Sequence, residues 1–163
     1  MKAVIITGTP GTGKTTLAKK LAKKLNYPYI DVNKIVKENK LDREYDKKRK
    51  CYAVDIKKLN QSLIKLINNY KKNKKIKGII IDSHLSHYLP KKYIGLCIVT
   101  KCELKELQKR LKKKKYGKNK IRENLDCEIF DVCLNEAREA GHKVVVINTT
   151  NSLNINALFN KIK

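Results

Sequence analysis

Gly8-Thr9-Pro10-Gly11-Thr12-Gly13-Lys14-Thr15 matches the template G-x-x-x-x-G-K-[ST] at every fixed position. Its flanks constrain the fold as much as the motif itself. Ala3 to Thr7 is a short apolar run of strand type, and Leu17, Leu21 and Leu25 recur at helical spacing between Thr16 and Leu25. A strand, a glycine-rich turn and a helix start present a nest of backbone N–H groups at the positive end of a helix dipole. Such a nest binds the phosphates of a nucleoside triphosphate. Lys14 reaches the β- and γ-phosphates, and the Thr15 hydroxyl is placed to hold Mg²⁺. The bland alternative, a chance Gly/Thr turn before a helix, is disfavoured because strand and helix both stand where the motif needs them.

The rest of the chain alternates between the two periods. Strands are predicted at Tyr27–Val32, Lys77–Asp82, Tyr93–Thr100 and Lys143–Asn148. Between them lie a short helix over Asn33–Asn39 and a long one capped by Asp55 and running to about Tyr70. Two more follow, at Glu103–Lys113 and Ile121–Ala140, and a final helix spans Asn154–Ile162. The polar stretch Lys40–Cys51 reads as mobile by composition. Alternating β and α elements predict a single α/β domain over residues 1–163, a three-layer P-loop NTPase fold with a five-stranded parallel sheet. Its ligand belongs outside the carboxyl ends of the strands.

A second constellation closes the third strand. Gly78-Ile79-Ile80-Ile81-Asp82 is a buried-type strand ending in a carboxylate, the Walker B arrangement in which the aspartate orders Mg²⁺ or its water. An aspartate that merely caps a turn is the alternative, and the phosphate loop tips the balance toward the metal. His84 lies two residues on, where an imidazole orients water, relays a proton or binds a phosphate. His87 has only proximity in its favour and reads as structural.

Lys and Arg number 39 against 15 Asp and Glu, a formal net charge of +24. Either a partner with a phosphate backbone or a lysine-rich proteome accounts for that, and the even spread of lysines does not choose. Five cysteines without C-x-x-C pairing read as reduced apolar filler, suiting a cytoplasmic protein. No apolar run approaches the roughly 20 residues that span a bilayer, so no membrane association is expected. The guanine-reading Asn-Lys-x-Asp tetrapeptide of GTPases is missing. Two polar segments flank the phosphate site instead. Asp31–Val54 follows the second strand, and Lys109–Arg122 carries nine basic residues and no acid. A basic lid over the phosphates neutralises the moving group and excludes water.

With Gly8–Thr16, Ile81-Asp82-Ser83-His84 and the run Glu123-Asn124-Leu125-Asp126-Cys127-Glu128-Ile129-Phe130, the chain resembles the adenylate kinase isoenzyme 6 family over nearly its whole length. This is a branch of the nucleoside monophosphate kinases, and the likeness is to its archaeal-type members. The resemblance implies a compact kinase fold that catalyses ATP + AMP ⇌ 2 ADP with Mg²⁺. It also implies weak ATPase activity and a role in small-ribosomal-subunit maturation through a platform ribosomal protein. By position, Gly11, Gly13, Lys14, Thr15 and Thr16 match the ATP loop, and Asp82 with His84 matches the Asp-x-His motif. Residues 31–54 match the NMP-binding segment, with Tyr45, Asp46, Cys51 and Asp55 retained, and residues 113–123 match the lid.

Three places depart from the family pattern. Lys114 stands where an ATP-contacting Arg is common, residues 47–50 are basic rather than acidic, and Asn151 replaces a common Lys. Lys114 keeps the charge but loses the planar two-pronged donor. Two function classes remain: a broad-specificity monophosphate kinase, and a ribosome-assembly ATPase whose kinase activity is incidental. A kinase for another small hydroxyl substrate is a third, weaker reading.

Overall fold

The computed structural model describes residues 2–46, 51–151, 158–159 and 162; for residues 42–46, 51 and 52 it describes the backbone alone. Five parallel strands form the central sheet: β1 Ala3–Gly8, β2 Tyr29–Asp31, β5 Ile79–Asp82, β6 Ile94–Lys101 and β7 Val144–Asn148. Their order is β2-β5-β1-β6-β7, so β1 is central and β5 and β6 flank it.

Strand β1 is buried at all six positions, because alternate side chains enter different layers. Ala3 and Ile5 face α3 (Ile56–Lys72) and α6 (Val132–Glu139), packing with Leu59, Leu63, Ile67, Leu134 and Ala137. Val4 and Ile6 face α1 (Lys14–Leu25), packing with Leu17, Ala18, Leu21 and Ala22. Each fully buried leucine of these stripes contributes about 1.5–3 kcal/mol relative to exposure. A third cluster joins α4 (Leu104–Lys113) to α5 (Lys118–Ile129) through Leu107, Leu111 and Ile121. It sits at the carboxyl ends of the strands and underlies the segment predicted to be a lid.

The expected fold class is the observed one, with corrections to individual elements. The predicted helix Ile121–Ala140 is two helices. Asp131 takes a left-handed backbone (φ 53°) that α-helix cannot continue, and the Lys101 ammonium pairs with its carboxylate. Strand β2 is shorter than predicted because Asp31 caps the next helix, its carboxylate accepting from Asn33 N at 2.9 Å. That helix, α2, runs Val32–Glu38. Within the stretch read as mobile by composition, β3 (Asp42–Asp46) pairs antiparallel with β4 (Cys51–Val54), with Tyr45 and Tyr52 in register. Aromatic residues at paired positions favour strand, a signal that local polarity outweighed. The side chains of Tyr45 and Asp46, the basic residues 47–50 and most of the predicted final helix lie outside the described residues. Of that helix, Leu158 is buried against the α1 layer. Among the described residues no helix is long and apolar enough to cross a membrane.

Candidate active site

The phosphate loop connects β1 to α1 in an unusual backbone path. Gly11 (φ 94°) and Gly13 (φ 82°) both occupy the positive-φ region, where a side chain would be strained. A Cβ on Gly11 would also lie 2.9 Å from Leu107 Cδ1, so the loop packs directly on α4.

Threonines at the variable positions pin the loop. Thr12 Oγ1 donates to Thr9 O at 2.7 Å and shares a 2.6 Å hydrogen bond with Thr100 Oγ1. Thr149 Oγ1, just beyond β7, donates to Thr12 O at 2.6 Å. Thr9 Oγ1 donates to Glu128 Oε2 at 2.6 Å, and the other carboxylate oxygen of Glu128 accepts from Cys102 N at 2.9 Å. These contacts fix the amide nest before any ligand arrives, which reduces the ordering cost of binding.

Lys14 folds back over the loop, donating to Gly8 O at 2.8 Å and Thr9 O at 3.0 Å. Burial, only partly offset by Asp82, lowers its pKa to about 8. It is a cation placed where a phosphate would relieve its desolvation.

Asp82 ends β5 with 4% of its surface exposed. Its Oδ2 accepts from the Tyr29 phenol at 3.0 Å, and that phenol is also within hydrogen-bonding reach of the Thr15 hydroxyl. Burial and Asp82 hold Tyr29 well above the usual tyrosine pKa, so it is an O–H donor at neutral pH. A carboxylate and a hydroxyl are hard oxygen donors, and two protein ligands completed by phosphates and water are what Mg²⁺ ordinarily takes. Thr15 and Asp82 therefore fit that ion. Among the described residues, no group of three or more His, Cys, Asp or Glu forms a self-sufficient metal cage.

His84 lies on the loop after β5. Solvent reaches this residue, but its crowded surroundings and the nearby Lys14 lower its pKa, and it is neutral at pH 7. Lys120 of α5 adds to that effect. His87 is buried behind the site. Its Nδ1 shares a 2.8 Å hydrogen bond with Thr7 Oγ1, while Nε2 lies 2.9 Å from Glu136 Oε2. It braces the His84 loop against the root of the phosphate loop.

A cavity of about 570 Å³ opens beside the loop. Gly11, Gly13, Lys14, Thr15 and Thr16 form its floor, and Arg110, Lys113 and Lys114 come from the end of α4. Lys20, Thr149 and Asn151 complete its lining. All the predicted ATP-loop residues and Lys114 thus meet in one place. Asp82 and His84 lie beyond Lys14 rather than in this cavity wall. The predicted lid is the end of α4, the turn 114–117 and the first turns of α5, with Lys115 left-handed at φ 57°. Asp55 caps α3, its carboxylate accepting from Lys58 N at 3.0 Å.

Sequence reasoning missed several of these residues. Arg110 Nη2 donates to Thr149 O at 2.9 Å and Nε to Glu106 Oε1 at 2.9 Å, so its guanidinium is oriented along the cavity. It lay unnoticed among eight other basic residues of the lid stretch. Glu128 stood in a run quoted only as a likeness. Tyr29 carried no local signal at all.

A sequence profile described as an AAA domain matches residues 4–131. An adenylate kinase isoenzyme 6 homolog of Caenorhabditis elegans is 34% identical over 143 residues, 88% of this chain and 76% of the relative. The chain belongs to the adenylate kinase isoenzyme 6 family. Another homolog bearing that name, from Schizosaccharomyces pombe, is 38% identical over 88% of this chain and 78% of its own. Shikimate kinase from Acinetobacter baumannii superposes with a TM-score of 0.59 at 16% identity, over 99% of this chain and 90% of that one. That likeness shows the P-loop kinase fold alone. Membership in the isoenzyme 6 family makes the protein a kinase of the adenylate kinase type.

Proposed function

We propose that this protein is a broad-specificity nucleoside monophosphate kinase that catalyses ATP + AMP ⇌ 2 ADP and hydrolyses ATP slowly when no acceptor is bound. The observation that carries this reading is the cavity in which the phosphate-loop amides and Lys14 face Arg110, Lys113 and Lys114 of the lid. The donor triphosphate lies in the amide nest, its base toward Arg110 and Asn151. Lys14 leaves Gly8 O and Thr9 O for the β- and γ-phosphates, regaining a charged partner. Thr15 and Asp82 would hold Mg²⁺, which when bound would supply positive charge to the triphosphate.

The acceptor enters from the side of β3 and β4, where Tyr45, Asp46 and Asp55 are its proposed contacts. An AMP phosphate oxygen forms a bond to the γ-phosphorus as the bond to the β–γ bridging oxygen breaks, leaving two ADP molecules. The cations Lys113, Lys114 and Lys120 follow the charge as it moves, and closure of the short lid excludes water. A neutral His84 aligns the attacking water in the hydrolytic side reaction.

A coupled assay for ADP formation with AMP, CMP and dAMP as acceptors tests this reading. ADP formation should rise steeply with acceptor, most with AMP. ATP consumption that is the same with and without every acceptor would sink it.

The net charge of +24 is compatible with a second role, which the family resemblance motivates: cytoplasmic maturation of the small ribosomal subunit. The proposed partners are a platform ribosomal protein and the rRNA beside it, with the ATP cycle driving release. Retention of a platform protein that depends on nucleotide state supports this role, and no association in any state rejects it.

A further inference from the structure

The carboxylate at the end of β5 does not stand alone, and its support comes from an edge strand. Tyr29 and Asp31 occupy alternate positions of β2 and so share one face of the sheet. In register, Tyr29 pairs with Ile80 and Asp31 with Asp82. The Tyr29 ring leans forward by one such step, so that its hydroxyl donates to Asp82 Oδ2 at 3.0 Å. The ring itself is fixed from two sides. It packs against the α1-side core, and Lys19 Nζ of α1 lies 5.8 Å from its centroid.

Asp82 has an attractive alternative. The Lys14 ammonium is close enough to feel its charge, yet that ammonium donates to Gly8 O and Thr9 O instead. A carboxylate free to rotate about its side-chain bonds would be drawn toward that cation, and both groups would then be less available to the ligand. The phenol occupies one lone pair of Oδ2 and leaves Oδ1 unencumbered.

We propose that Tyr29 is a positioning residue for the divalent cation: its hydroxyl holds the Asp82 carboxylate turned toward the Thr15 side of the cleft and away from Lys14. This rests on the kinase reading above, because it needs a magnesium–nucleotide complex as ligand. Tyr29 touches no reacting atom and acts through Asp82. Its hydrogen bond is charge-assisted, so its loss should weaken the magnesium-dependent part of binding roughly tenfold.

The test is calorimetric titration of ATP into the full chain, once with Mg²⁺ and once with EDTA, for the wild type, Tyr29→Phe, Asp82→Asn and the double variant. Phe keeps the ring against the α1 side and removes only the hydroxyl. Tyr29→Phe should lose about tenfold of the affinity that Mg²⁺ adds, while its EDTA affinity stays within about twofold. In the Asp82→Asn background the same change should cost nothing further. The magnesium KM for ADP formation should rise in parallel. Loss of equal size in EDTA would mean that the hydroxyl merely supports packing, and would overturn the proposal. A magnesium-dependent gain that survives Tyr29→Phe overturns it alone. A wild type with no such gain overturns the kinase reading, and this inference with it.

Discussion

The Thr9 hydroxyl donates to Glu128 Oε2 at 2.6 Å, joining the phosphate loop to a residue 119 positions away near the end of α5. Both side chains are buried, and the second Glu128 oxygen is taken by Cys102 N. The helix that returns from the proposed lid is thereby tied to the phosphate loop. Glu128→Ala should orphan two buried donors at about 1–3 kcal/mol each, lowering stability by about 2–6 kcal/mol in urea unfolding. Glu128→Gln keeps an acceptor for one of them and should lose roughly half as much. Equal unfolding midpoints for wild type and Glu128→Ala would contradict this account.

Lys14 gives a prediction with a sign. Its folded pKa, about 8, lies below the 10.5 of a free lysine. Below pH 8 the folded protein therefore carries the full cost of a desolvated charge. Between about 8 and 10.5 the unfolded chain binds the proton that the folded chain has released, so this group makes folding more favourable as pH rises. Lys14→Met should abolish ADP formation and yet stabilise the ligand-free protein by about 1–2 kcal/mol at pH 7. ATP restores the charged form, so binding at pH 8.5 should take up as much as about one proton. Calorimetry in buffers of differing ionisation enthalpy reads that uptake directly. Uptake of zero would show that the ammonium does not meet the phosphates.

For His84 the discriminating measurement compares two reactions of one variant. Its lowered pKa makes it a neutral hydrogen-bonding group at pH 7, suited to a water molecule more than to neutralising phosphate charge. His84→Ala should reduce acceptor-free ATP hydrolysis by about 10²-fold and phosphoryl transfer to AMP by less than about tenfold. Equal losses in both reactions would remove the proposed division of roles.

Lys114, the C-terminal cap of α4 and part of the cavity wall, tests the lid. Lys114→Ala should raise the KM for ATP by about two- to tenfold, an effect that weakens as salt is added. Lys114→Arg should match or better the wild type, since guanidinium binds phosphate through two parallel donors. A KM insensitive to either change would place Lys114 outside the ATP contact set.

The loop itself, its flanking strand and helix, and the carboxylate closing Ile79–Asp82 were legible because each rests on neighbouring residues. Glycine at positive φ, apolar runs and helical leucine spacing are local facts, and they lead to a parallel sheet with its ligand at the carboxyl ends. The hairpin of β3 and β4 was hidden because its pairing is set by partner positions such as Tyr45 and Tyr52 rather than by polarity. The break at Asp131 was hidden for a related reason, as helical periodicity runs through it and only the pairing with Lys101 marks the corner.

The amino-acid order alone determined that a phosphate-binding nest forms at residues 8–15 and that an acidic strand end accompanies it. Tertiary structure alone decided that Glu128 pins Thr9, that Arg110 meets Thr149 and that Tyr29 reaches Asp82. Those contacts join residues 39 to 119 positions apart. Their existence depends on strand order and crossover packing, which bring distant side chains within hydrogen-bonding reach and leave no periodic trace in the chain.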